Sequence, residues 1–168
     1  MFIALIGIMI YIALRFEYRF ALGAAIALVH DPILILGIFS LFNIEFNLTA
    51  LAAILAVIGY SLNDTIVIFD RIRENFRKLR RADAKEVVNL SINQTLSRTI
   101  MTSATTLLVV LSLCLFGGPM IHSFALALII GIVVGTYSSI YVAGALAVAL
   151  GLSRENLLPS TKEIDTRP

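Results

Sequence analysis

Long apolar runs separated by short polar connections constrain this chain more than any other feature. We predict five membrane spans, at residues 1–14, 20–42, 48–69, 96–116 and 120–150. A spanning helix needs about 20 largely apolar residues, so the first run is short and the last is long enough to tilt. Only 14% of the residues are charged, whereas a soluble domain carries about 25%. The fold class predicted is an all-α, polytopic membrane helix bundle.

The basic residues predict how this bundle is oriented. All 13 Lys and Arg residues lie after the first run, between the third and fourth runs or at the mouth of the fourth, or in the tail at 151–168. The connections at 43–47 and 117–119 contain none. Cytoplasmic connections are enriched in Lys and Arg. We therefore expect the helical connection at 70–95 and the C-terminal tail to be cytoplasmic.

This orientation has a consequence for the N-terminus. The first run must enter from the outside and end inside at Arg15. It has no basic leading region and no small-residue cleavage site, so it is not a signal peptide. We expect the chain to be part of a longer protein, with at least one earlier span or signal.

One ionisable residue lies inside the third run, in the stretch VIGYSLNDTIVIFDRIREN (residues 57–75). Asp64 is about 9 Å from Asp70 along a helix that rises 1.5 Å per residue. A charge at the bilayer centre costs about 2.5–3.5 kcal/mol on insertion scales. Arg98 opens the next run, and the short connection makes the two helices antiparallel neighbours. We expect Asp64 and Arg98 to meet, with Asn63, Thr99 and Thr102 as hydrogen-bonding candidates.

Two interpretations of this pair stay open. In one, Asp64 and Arg98 form a static ion pair that fixes helix packing. In the other, Asp64 takes up and releases a proton, and Arg98 engages or lets go in response, because protonation changes the local charge. The residue types favour the proton relay, since ionisable residues inside membranes are functional candidates by default.

A second polar group interrupts the run at 20–42. His30 and Asp31 stand beside Pro32, which removes a backbone hydrogen bond and predicts a kink or break in the helix. The pair is interpreted equally well as a polar plug at the kink or as a group that takes part in ion transfer.

Two stripes at helical spacing predict helix contacts. Hydroxyl side chains follow one side of the fourth run, where they bond their own carbonyls or a neighbouring helix, or else line a wetted lane; they are Thr95, Thr99, Thr102, Ser103 and Thr106. Small residues recur every fourth position of the last run and predict close helix packing; they are Gly131, Gly135, Ser139 and Ala143.

The sequence offers no site for hydrolytic chemistry. No nucleophile triad or phosphate-binding loop is present, and neither His30 nor His122 has Cys or carboxylate companions at zinc spacing. The single cysteine, Cys114, cannot form a disulfide within the chain and is interpreted as a small buried hydrophobe. We predict a transport component that is not an enzyme.

Three segments carry a resemblance to a known family, the membrane half of the SecF proteins. They are RFEYRFALGAAIALVHD (15–31), GYSLNDTIVIFDRIREN (59–75) and NQTLSRTIMTSATTLL (93–108), in that order along nearly the whole chain. The resemblance implies six spans with a large periplasmic domain after the first, so that this chain looks like spans two to six. It implies a protein of the bacterial inner membrane, in contact with membrane lipid.

The resemblance also implies a function. SecF-like proteins work with SecD beside the SecYEG translocon and YajC, and use the proton-motive force to draw preproteins across the membrane. Their proton-relay Asp and Arg, in SLND and LSRT motifs, fall on Asp64 and Arg98. Protons are the coupling ion, with no cofactor, no metal and no nucleic-acid partner implied.

Two alternatives use the same residues. A small-molecule exporter of the broader RND (resistance–nodulation–division) superfamily would share the chemistry of Asp64 with a different external domain. A structural scaffold subunit would keep the packing faces and tolerate Asp64→Asn without loss of activity.

Overall fold

The computed structural model describes residues 6–7, 10, 18–79 and 82–149, and within them the protein is a bundle of long helices. The helices are α1 (Tyr18–Leu41), α2 (Leu48–Lys78), α3 (Ala84–Phe116) and α4 (Pro119–Tyr137). Helix α4 continues through a π turn (Ser138–Val142) into the short α5 (Ala143–Ala149).

The predicted all-α membrane bundle is confirmed. The described residues contain four helices long and apolar enough to cross a membrane, at Leu22–Leu41, Leu48–Lys78, Ala84–Phe116 and Pro119–Leu146. They correspond to the second to fifth predicted spans, so the described count is four where five were expected. The first predicted span, at 1–14, falls almost entirely outside the described residues, and the tail at 151–168 lies wholly outside them.

Local sequence signals set where the helices begin. The Asn47 side chain caps α2 by accepting a hydrogen bond from the Ala50 N–H at 3.0 Å, as short polar side chains at this position do. Gly118 has a φ of 76°, which glycine tolerates best, and leads into Pro119 at the first turn of α4.

The helix that opens after Asp83 is longer than the sequence suggested. Asp83 caps it by accepting from the Ala84 N–H at 2.8 Å. The sequence predicted a helical connection at 70–95 and a span at 96–116, but α3 runs through both without interruption from Ala84 to Phe116. No Gly or Pro stands between Ala84 and Phe116 to end a helix.

Helix α2 lies at the centre of the bundle and contacts α1, α3, α4 and the π turn. Its 31 residues span about 46 Å at 1.5 Å per residue, more than the hydrocarbon core of about 30 Å. The prediction that this helix continues beyond its apolar run is confirmed. Buried Asn75 ties the extension to α3 by donating to Ser91 Oγ at 2.8 Å and to Gln94 Oε1 at 3.0 Å.

The small residues of α4 and the π turn pack directly on α2. A Cβ at Gly131 would overlap the Val57 side chain, and one at Gly135 would lie 3.2 Å from the Ser61 Cβ. The next residue of the ladder, Ser139, donates to the Ser61 carbonyl at 3.1 Å. The predicted close packing is therefore confirmed for the first three residues of the ladder, Gly131, Gly135 and Ser139.

A kink or a break was predicted at Pro32. There is no break, because α1 is helical from Tyr18 to Leu41 with Pro32 inside it. A membrane helix tolerates proline, since neighbouring helices and polar side chains satisfy the freed backbone groups. Burial of Ile35 and Phe39 beyond the proline holds the second half of α1 on the same face of the bundle.

Candidate functional site

Asp64 projects from the middle of α2 into the bundle, where its side chain is 4% exposed. Its Oδ2 atom is buried and accepts no hydrogen bond from any described residue. Buried polar atoms in folded proteins are nearly always hydrogen-bonded, so this oxygen is unusual. It leaves lone pairs available for a proton or for a group that moves into reach.

Arg98 lies on α3 with its side chain exposed. It is close enough to Asp64 to attract the carboxylate electrostatically. No nitrogen–oxygen distance within 4.0 Å joins the two residues in the described part of the chain, where the ion pairs involve other side chains. The structure therefore shows the two residues near each other without the direct ion pair.

The Arg98 side chain also lines a cavity of about 300 Å³ at the end of the bundle where α2 ends and α3 begins, which we call the basic end. Its other lining residues are largely polar; they are Val67, Asp70, Arg71, Glu74, Gln94 and Thr95. Asp64 lies one helical turn deeper than Val67 on α2. A water-sized space therefore reaches the neighbourhood of Arg98 from the basic end.

The three candidate hydrogen-bonding residues are arranged differently from one another. Asn63 is exposed, whereas Thr99 is buried on α3. The Thr102 hydroxyl donates to the Thr99 carbonyl at 3.0 Å. The hydrogen bond of the Thr102 hydroxyl is therefore made within its own helix, because a helical threonine can reach the carbonyl three residues back.

The rest of the hydroxyl stripe behaves similarly. Thr95 and Thr106 donate to carbonyls of α3, at 3.0 Å and 2.8 Å. Ser103 instead bonds across to Thr136 of α4 at 2.7 Å. These hydroxyls bond carbonyls of their own helix or a side chain of a neighbouring helix. This agrees with the packing interpretation of the hydroxyl stripe, the alternative to a wetted lane.

Asp31 is the other buried carboxylate among the described residues, and none of its surface is exposed. Its Oδ2 accepts from the Ser61 hydroxyl of α2 at 2.5 Å, and its Oδ1 lies 3.1 Å from Nδ1 of His30. A side chain at Gly135 of α4 would come within 3.7 Å of Oδ2. Asp31 thus lies where three helices meet.

A hydrogen-bonded chain runs from this carboxylate to the π turn. The Ser61 carbonyl accepts from Ser139, whose hydroxyl also bonds Thr65 at 3.1 Å. The neighbouring Ser138 hydroxyl is buried without a partner among the described residues. Sequence reasoning missed the roles of Ser61 and Thr65, although two hydroxyls four residues apart beside Asp64 were a usable signal.

No metal centre accompanies these groups in the part of the chain that the structure describes. There, no three His, Cys, Asp or Glu side chains come together in a way that could hold an ion. The chemistry available at Asp64 and Asp31 is that of carboxylates, hydroxyls, the Arg98 guanidinium and the His30 imidazole.

Comparisons with known proteins agree on one family. Residues 1–153 match the family described as protein export membrane protein SecD/SecF, C-terminal. The chain is 58% identical over 161 residues to the protein translocase subunit SecF of Vibrio alginolyticus, covering 96% of this chain and 51% of that protein. Its SecF counterpart from Pseudomonas aeruginosa is 53% identical over 170 residues, covering 100% of this chain and 56% of that protein.

Two solved structures are also similar to this chain. A crystal structure of SecDF in its super-membrane-facing form matches with a TM-score of 0.81 and 52% identity, over 84% of this chain and 19% of that chain. SecDF from Thermus thermophilus, a translocon-associated membrane protein, also gives 0.81 and 52%, over 84% of this chain and 20% of its own.

The chain spans about half the length of the curated relatives it matches. The match nevertheless covers nearly all of the present sequence, with the same helical bundle in the solved relatives. The chain therefore belongs to the SecD/SecF family of protein-export membrane proteins.

Proposed function

We propose that this chain is the membrane half of a SecF subunit and that, together with SecD, it uses the proton-motive force to promote preprotein translocation. The observation that carries the proposal is Asp64, a buried carboxylate with an oxygen that no described residue binds. The names of the relatives support the protein-export function.

The proposed chemistry is reversible protonation of Asp64. An ionised carboxylate inside the bundle needs a compensating positive charge, and Arg98 is the residue whose charge acts on it. A proton on Asp64 removes that need and releases Arg98 toward the polar cavity. The two protonation states thus favour two positions of Arg98, and therefore two packings of α2 against α3.

The proposed setting follows from the family and the charge distribution. The basic end of the bundle and the C-terminal tail face the cytoplasm, as the positive-inside rule predicts. SecD supplies the second half of the bundle, and SecYEG and YajC lie further out. The preprotein is handled by parts of the machinery outside this chain.

The test is preprotein export in cells whose full-length SecF carries Asp64→Asn. Asparagine keeps the size and shape of the side chain but has no carboxylate to take up a proton. We expect export to fall to the level of cells without SecF, with normal amounts of the protein and normal association with SecD.

Asp83→Asn is the matched control, because Asp83 is an exposed helix cap and Asn caps a helix about equally well. It should leave export unchanged. Wild-type export by the Asp64→Asn protein would show that energy is coupled elsewhere and that the scaffold interpretation is the correct one.

A further inference from the structure

Asp31 is a buried titratable group that the proposed function does not use. It is completely buried, although it is an acidic residue in a span that is otherwise largely apolar. Both of its oxygens have partners, on two different residues. A polar plug would need a hydrogen-bonding side chain here, but it would not need one that can change its charge.

Few groups can balance a negative charge at this position. On α1, His30 faces Oδ1 with a side chain that is 33% exposed. On α2, the acidic or basic residue nearest to Ser61 along the helix is Asp64, three positions further on, and its carboxylate has the same sign as that of Asp31. Helix α4 from Ser123 onward, the π turn and α5 contain no Asp, Glu, Lys, Arg or His. On α3, the positive charge of Arg98 acts on Asp64. Among the residues that the structure describes, this leaves a proton or His30 to balance Asp31.

We propose that Asp31 is a second protonation site of the bundle and that it exchanges its proton through His30. Ser61 transmits the change in the charge of Asp31 to the π turn. This inference rests on the proposed function, because it adds a site to the same proton-driven cycle.

The proton transfer is balanced at the two side chains. The neutral His30 ring, with its proton on Nδ1, binds a proton from hydronium at Nε2, leaving water. The Nδ1 proton then passes to Asp31 Oδ1 across the 3.1 Å contact. The ring ends neutral with its proton on Nε2, and the carboxylate becomes a carboxylic acid.

Protonation changes the contact that joins three elements of the bundle. The 2.5 Å hydrogen bond from Ser61 is strongest when its acceptor is charged, because charge-assisted hydrogen bonds are about twice as strong as neutral ones. The Ser61 carbonyl is in turn held by Ser139 of the π turn. Protonation of Asp31 therefore loosens α1 from α2 at the position where α2 is bound to the π turn.

The π turn is a suitable element to respond. Single π turns within α-helices occur frequently at functional sites. This one contains the Ser138 hydroxyl, which is buried and has no partner among the described residues. A rotation at the π turn would therefore break no hydrogen bond of that hydroxyl.

The test is infrared difference spectroscopy of the full-length protein in complex with SecD, in vesicles titrated with pH. We expect a carbonyl band of a protonated carboxyl group that appears as the pH falls and is lost in Asp31→Asn. Ser61→Ala should shift the band to higher frequency, because the carboxyl group loses a hydrogen bond.

Two further variants separate the alternatives. Ser112→Ala removes an exposed hydroxyl that bonds its own helix at 2.9 Å, and it should leave the band unchanged. Asp64→Asn should lower export to the level of cells without SecF and retain the Asp31 band.

The proposal is overturned if Asp31→Asn removes no pH-dependent band, or, where that variant does not assemble, if Ser61→Ala shifts none. Asp31 then has a structural role only, whatever the export assay shows. If Asp64→Asn exports normally while the Asp31 band persists, the proposed function fails and the second protonation site stands.

Discussion

The surroundings of the two buried carboxylates differ in one respect that separates their roles. Asp31 and Asp64 are both nearly excluded from solvent. The oxygens of Asp31 are held by Ser61 and His30, whereas Oδ2 of Asp64 has no partner in the described chain. Burial is common to both, so the number of partners distinguishes them.

This difference determines what a proton would do at each site. At Asp64 a proton can arrive without displacing a hydrogen bond at Oδ2, so the site is suited to carrying protons. At Asp31 a proton alters bonds that connect α1, α2 and the π turn, so the site is suited to changing helix contacts. The predictions below test the two halves of this contrast.

Arg98→Met should have the largest effect, because it removes the positive charge that compensates Asp64. We expect preprotein export to fall about tenfold or more, since 1.4 kcal/mol of lost compensation already changes an equilibrium tenfold. Arg98→Lys keeps the charge and should retain part of the activity, and export assays in cells measure both.

Arg77→Met is the control for this series, because Arg77 is exposed in the last turn of α2 and outside the cavity that Arg98 lines. Export by that variant should equal the wild type. Equal losses for Arg77 and Arg98 would mean that total basic charge, rather than proximity to Asp64, matters.

Gly131→Leu should have an intermediate effect, on stability, because its side chain would overlap Val57 where α4 packs on α2. Overpacking of this kind costs about 1–3 kcal/mol, and thermal unfolding of the purified complex in detergent measures it. Adding Val57→Ala should restore part of the loss by making room.

Gly37→Leu provides the matched control, since a Cβ at Gly37 meets nothing within 4 Å. It should not lower the unfolding temperature. If both glycine variants destabilise equally, the close α2–α4 contact is not what holds the Asp31 region together.

Thr102→Val should have the smallest effect. The hydroxyl bonds the Thr99 carbonyl of its own helix, and hydrogen bonds in membrane helices are worth about 0.6 kcal/mol on average. We expect a change in unfolding free energy below about 0.6 kcal/mol and unchanged export. A large export defect would place Thr102 beside Asp64 in another state of the cycle and sharpen the definition of that site.

The sequence predicted much of the fold because apolar run length and charge position are local properties. The second to fifth runs all lie in helices, although α2 and α3 extend beyond the predicted spans at the basic end, and the Gly131 ladder packs as expected. Of the kink or break predicted at Pro32, the break does not occur, since one lost hydrogen bond in α1 is outweighed by packing on both sides of it.

The candidate site was only partly predictable. A buried acid at Asp64 could be inferred because the surrounding run is apolar on both sides. The use of Thr102 within its own helix agrees with what was expected for the hydroxyl stripe. The gap between Asp64 and Arg98, and the bond from Ser61 to Asp31, could not be inferred. They depend on helix rotation and on distances of a few ångströms, which a spacing pattern does not contain.

By itself the sequence determined that this chain crosses a membrane, where its basic end lies and which residues can change charge there. These follow from the free energy of moving each side chain out of water, which depends on residue type. Only the tertiary structure decided which oxygens find partners. Ser61 reaches Asp31, while the Asp64 Oδ2 and Ser138 hydroxyl do not find partners among the described residues, because hydrogen bonding depends on how α1, α2, α4 and the π turn pack against one another.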